Sequence, residues 1–135
     1  MTTEELYKFA DSHNVDIFKY DVPYDSLSVC IDGSCAIATT DRMLETNAYE
    51  KVCLAHELGH CETGSFYNEY SPLDVRGKHE RRADKWAIKK LVSEDELHDA
   101  VCNGYTEIWE LAEYFDITED YMYKIVCYYE GLEWN

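Results

Sequence analysis

No stretch of this 135-residue sequence is an uninterrupted apolar run near twenty residues long, and its first thirty residues lack the basic start and apolar core of a secretory leader. A membrane-spanning helix, which needs about twenty apolar residues, and export are therefore not expected. Basic residues are scarce, twelve against twenty-eight acids for a net charge of −16. That balance opposes nonspecific attraction to nucleic acid or to an anionic membrane and favours a basic partner. There are no internal repeats, no low-complexity tracts and, among six cysteines, no C-x-x-C pair. Six cysteines would suit a secreted disulfide framework, but without a leader they read as reduced thiols. These absences leave a soluble, cytoplasmic protein folding as a single domain over residues 1–135, and the 46% hydrophobic content is enough for one core.

The scarce bases are unevenly placed. Seven of the twelve fall between positions 76 and 90, which gives that segment a charge of +5 and the remainder −21. Residues 3–13 carry Leu6, Phe9 and Ala10 at helical spacing with Thr2 or Thr3 as cap, and Asn14 ends the helix. Strand-like stretches follow near 15–22, 26–31 and 34–39, the last two joined by the Asp32-Gly33 hairpin signal, so a small antiparallel sheet is expected. Cys30 and Cys35 flank that turn symmetrically and face one another across it, as a pair of thiols or as two small strand residues. A helical pattern runs from Asn47 to Cys61 with Gly64 placed to stop it. Residues 64–78 show no sustained period and read as a loop along one edge of a cleft. Helices follow over 79–92, from Glu94 behind a Ser93/Glu96 capping box, and over 106–115 and 118–130. The fold class is α+β: a small sheet, a motif helix and several further helices.

The motif is His56-Glu57-Leu58-Gly59-His60, an H-E-x-x-H match inside a helical pattern. Helix positions four apart differ by roughly 40° around the axis and about 6 Å along it, so both imidazoles can reach one ion. Glu57 follows the first histidine, aimed where an attacking water would lie, and is the candidate general base. By this chain's own composition, roughly 0.02 such matches are expected by chance.

Catalytic zinc takes three protein ligands and keeps a position open, so a third ligand is needed downstream. On a helical wheel of 79–92, Glu80 points into the apolar face made by Ala83, Trp86, Ala87 and Leu91. A buried carboxylate needs a cation. The metal provides one, and a local base such as Arg76 is the alternative. His79, at the rim of the stripe, is the weaker candidate. Asp84, one turn beyond Glu80, either orients one of the histidines or is a surface acid between Arg81 and Lys85. Imidazole and carboxylate ligands favour Zn2+, with Mn2+ the alternative. For the charge that develops on a cleaved carbonyl, Tyr67 or Tyr70 in the 64–78 segment is the candidate oxyanion donor, with His79 next.

The strings Leu54-Ala55-His56-Glu57-Leu58-Gly59-His60 and Glu80-Arg81-Arg82-Ala83-Asp84-Lys85-Trp86-Ala87 resemble the ImmA/IrrE family of metallopeptidases, whose pattern is A-H-E-L-G-H followed by E-x-x-A-[ND]-x-[FW]-A. The likeness spans about residues 25–120 and includes Leu111-Ala112-Glu113-Tyr114-Phe115. It implies a zincin-like fold with a His-His-Glu site arranged as in thermolysin-type peptidases: His56, His60 and Glu80 as ligands, Glu57 as base, Asp84 behind a ligand. Members of the family are linked to cleavage of helix-turn-helix repressors, often encoded beside them on phages or integrative elements.

Three functions compete. The first is a site-specific endopeptidase acting on such a repressor, and the second is a metal-binding antirepressor module that docks without cutting. An intact Glu57 favours the enzyme, since a structural site has no need of a base. The third takes 108–126 as a DNA-binding helix-turn-helix. Residues 105–135 carry eight acids and only Lys124 as base, which would repel phosphate, so a packing role for these helices is expected instead.

Overall fold

Thr2, whose hydroxyl accepts the Glu5 amide at 3.1 Å, opens α1 (Thr3–Ser12), and Asn14, at φ 57°, turns the chain out of it. The computed structural model describes residues 1–68 and 70–133. Three strands follow, β1 (Asp16–Lys19), β2 (Ser26–Ile31) and β3 (Ser34–Thr39). Asp32 and Gly33 take φ of 52° and 81°, the left-handed pair that a two-residue hairpin requires. β2 and β3 are antiparallel, with Cys30 opposite Cys35 as the hairpin register demands.

The expectation of an all-antiparallel sheet fails at β1. The strand order is β1-β3-β2 and β1 runs parallel to β3, so the sheet is mixed. Residues 20–25 reverse the chain and carry it to the far edge, where Arg42 donates to the Tyr24 carbonyl at 2.6 Å and to Asp25 at 2.8 Å. The hairpin then returns β3 to the middle, beside β1.

The motif helix α2 (Asn47–Thr63) is capped by Thr46 and ended by Gly64 in the left-handed region at φ 66°. It lies at the centre of the molecule, packed on the sheet and on α3, and its residues Leu54, Ala55 and Leu58 are fully buried. Lys51 is buried as well, and its ammonium donates to the Phe115 carbonyl at 2.6 Å.

Helix α3 (Leu73–Leu91) starts six residues before the expected boundary of 79. Its first two turns are mostly exposed and carry no apolar stripe, because they overhang the core; burial begins at Ala83. Among the described residues, 65–68 and 70–72 are left as the non-helical cleft edge. Then come α4 (Glu94–Cys102), with the Ser93/Glu96 capping box present, α5 (Ile108–Phe115) and α6 (Glu119–Glu130). Leu111, Ala112, Met122 and Ile125 from the last two helices, and Ile117 from the connection between them, enter the common core. Among the described residues no helix is long and apolar enough to cross a membrane.

The reading of all six cysteines as reduced thiols is overturned at two of them. Cys35 is bonded to Cys61, with Cα atoms 5.9 Å apart, while Cys30, Cys53, Cys102 and Cys127 are free. Cys35 shares its face of β3 with the fully buried Ile37, and that face rests on α2, where Cys61 sits. The covalent partner of Cys35 is therefore on the helix beneath the sheet and not the residue opposite it across the hairpin.

Candidate metal centre

Two helices build the site. α2 carries His56 and His60 one turn apart, and α3 carries Glu80 and Asp84, also one turn apart. The helices come close together at Gly59, where an added Cβ would stand 2.4 Å from the Ala83 carbonyl oxygen. Only a residue without a side chain lets the Glu80 carboxylate come within reach of both imidazoles.

The three ligand candidates converge. His56 Nε2 lies 3.2 Å from His60 Nε2 and 2.7 Å from Glu80 Oε2, and His60 Nε2 lies 3.4 Å from the same oxygen. A tetrahedral ion with bonds of about 2.0–2.1 Å has edges of about 3.3 Å between ligand atoms, so the trio fits one small divalent cation. The imidazoles are also turned the right way. His56 donates from Nδ1 to Asp84 Oδ1 at 2.7 Å, and His60 from Nδ1 to the Ser65 carbonyl at 2.5 Å, so both Nε2 lone pairs face inward. His56, His60 and Glu80 are a group of side chains that could hold a metal ion.

His56 and Glu80 hold one another as an ion pair. Burial pushes the His56 pKa down, but hydrogen bonds to Asp84 and Glu80 outweigh it and raise it to about 10. Burial likewise pushes Glu80 up, and His56, His60 and Tyr67 together hold it far below the usual carboxylate range. Ligation must displace the His56 proton, so affinity for a cation falls as pH falls.

Asp84, 5% exposed, is no surface acid. It accepts from His56, from Tyr121 Oη at 2.8 Å and from Lys124 Nζ at 2.9 Å. Burial raises its pKa, and the His56 and Lys124 contacts outweigh that and lower it. Lys124, the one base of the acidic C-terminal stretch, is thus committed to the site from α6.

Glu57, 7% exposed, sits on the wall of an open cleft of about 400 Å3 that also reaches His56, His60, Glu80, Phe66 and Arg76. Its two carboxylate oxygens accept one hydroxyl each, from Ser26 and Ser28 of β2, both at 2.7 Å. Tyr67 lines the same cleft and its hydroxyl donates to the Glu80 carboxylate. Tyr70 is 85% exposed and does not line it. His79 lies against the Tyr67 ring, ring centres 6.3 Å apart, with its Nδ1 buried and, among the described residues, without a hydrogen-bond partner. Neither serine was expected at the site. Alternation over Ser26-Leu27-Ser28-Val29 reads as apolar residues inward, and the structure has the reverse.

A test separates ligands from neighbours. His56→Ala, His60→Ala and Glu80→Ala are each expected to lose bound metal by more than the 10–100-fold typical of an outer partner, while Asp84→Asn falls within that range and His79→Ala keeps the metal. Elemental analysis after dialysis reads all five. Metal retained by Glu80→Ala and lost by His79→Ala would exchange the roles of the two residues.

Comparison of the chain with protein-family models, with curated proteins and with solved structures finds no match in any of the three.

Proposed function

We propose that this chain is a zinc-dependent endopeptidase of the ImmA/IrrE type, acting on a basic, DNA-binding helix-turn-helix repressor of a phage or mobile element. The observation that carries the reading is the position of Glu57, a largely buried carboxylate on the wall of the same open cleft that a His-His-Glu trio lines. The two sequence strings that resemble the family supply the two halves of that trio, and the net charge of −16 suits a basic partner.

A bound divalent ion supplies Lewis acidity, lowering the pKa of water and polarising a peptide carbonyl. The chain's own groups do the rest. Glu57 takes the proton of the attacking water and returns it to the leaving nitrogen. Asp84, held by Lys124 and Tyr121, fixes the ring of His56. Tyr67, rather than the outlying Tyr70, is within the cleft to donate to the developing oxyanion. β2 is an edge strand with Ser26, Leu27 and Ser28 on the cleft wall, so an extended peptide finds unpaired backbone groups beside the site.

The test is to incubate the zinc-loaded protein with candidate helix-turn-helix repressors, beginning with any that a neighbouring reading frame encodes, and to read products by intact mass. One internal cut is expected, abolished by a chelator and restored by zinc. A complex in which the repressor stays whole would establish docking without cleavage instead.

A further inference from the structure

Ser26 and Ser28 are two residues apart on β2 and therefore share a face, and that face meets α2 at Glu57. One hydroxyl reaches each carboxylate oxygen, both at 2.7 Å. Among the described residues Glu57 makes no ion pair, although it is 7% exposed. A carboxylate that buried needs strong donors, and the two hydroxyls are those donors. The arrangement costs apolar burial. The alternating Leu27 and Val29 are turned outward and left 36% exposed each, where the reverse facing would have buried them.

We propose that Ser26 and Ser28 are positioning residues, a two-point clamp that holds the Glu57 carboxylate toward the attacking water and off the cation; this rests on the peptidase reading above. The terminal torsion of a glutamate is broad and turns freely unless both oxygens are tied. Glu57 follows a ligand directly, so a loose carboxylate can turn onto the ion and occupy the position that must stay open. A tie at one oxygen permits that rotation. A tie at both prevents it while leaving each oxygen a further lone pair to accept a proton.

The clamp is tested without any cleavable substrate. The cobalt-loaded protein is titrated with acetohydroxamate, which chelates the ion and passes its proton to the neighbouring base, and binding is read from the visible cobalt spectrum. Glu57→Gln is expected to bind weakly. The double variant S26A/S28A is expected to bind about tenfold more weakly than the parent with an unchanged metal content and circular dichroism. S26T/S28T, which keeps both hydroxyls, returns to within about threefold of the parent, and S34A, at the exposed start of β3, matches the parent.

If S26A/S28A binds as the parent does while Glu57→Gln is weakened, the clamp is wrong and the peptidase reading stands. If Glu57→Gln binds as tightly as the parent, Glu57 is no proton acceptor and the reading beneath the clamp falls. Loss of metal from S26A/S28A would make the serines structural supports and overturn the proposal. Should the double variant fail to fold, S26A and S28A singly decide, each expected to weaken binding by about threefold.

Discussion

Glu57→Gln is expected to keep its fold and its metal and to lose about 10²–10⁴-fold in kcat. The amide has the shape of the carboxylate and fits the same buried place on α2. One of its contacts to Ser26 and Ser28 becomes an N–H facing a hydroxyl, and a hydroxyl can rotate to accept, so neither hydrogen bond need be lost. An amide cannot take a proton from water, so the defect is confined to chemistry and leaves KM near the parent value. Steady-state cleavage of the repressor by metal-loaded variant and parent, with metal content measured on the same samples, reads the difference. Equal rates would remove Glu57 from the role of base and leave the trio as a binding site alone.

Gly59→Ala is expected to cost about 3 kcal/mol or more of stability, because the new methyl would meet backbone. Its Cβ would stand 2.4 Å from the Ala83 oxygen and 3.0 Å from the Ala83 carbonyl carbon and Cα, atoms that cannot rotate away as a side chain can. The helices must separate, and separation draws Glu80 from the two imidazoles, so metal affinity falls together with stability. Thermal melting of the metal-free protein should drop by roughly 10 °C. Gly77→Ala, on the overhanging start of α3 with nothing within 4 Å of the added Cβ, is the matched control. Its expected effect has the opposite sign, about 0.4–1 kcal/mol of stabilisation, from restricting the unfolded chain. A Gly59→Ala protein as stable as the parent would show that the helices can move apart without cost.

The parts of the site written within one helix were legible in the sequence. His56, Glu57 and His60 are fixed by the helical repeat alone, whereas Glu80, expected on a buried apolar stripe, stands one turn before the buried Ala83 and Asp84 with its side chain 39% exposed in the cleft. Caps were legible for the same reason: Thr2, Gly64 and the Ser93/Glu96 box act over three or four residues. What depended on distant pairing was not. The parallel placement of β1 is decided by how residues 20–25 cross the sheet, which no local pattern encodes. The Cys35–Cys61 bond and the Lys124–Asp84 contact join residues 26 and 40 apart in the chain. Ser26 and Ser28 were misleading, because alternation normally signals apolar residues inward. The start of α3 was hidden because its first turns border the cleft with Arg76 and Glu80 and bury no apolar stripe, and a helix without such a stripe leaves no period to read.

The Cys35–Cys61 bond closes a covalent ring in which His56, Glu57 and His60 all lie, and it meets α2 at the residue following His60. A ring of that size removes about 3.5 kcal/mol of chain entropy from the unfolded state on the loop-closure account. A cation shared by His60 and Glu80 would close a second ring beginning one residue before the first one ends. The two rings therefore overlap at His60 and Cys61, and the covalent one already confines the helix that carries two of the three ligands. The cation accordingly meets ligands ordered in advance, and most of its binding free energy is left to hold the ion rather than to fold the chain around it.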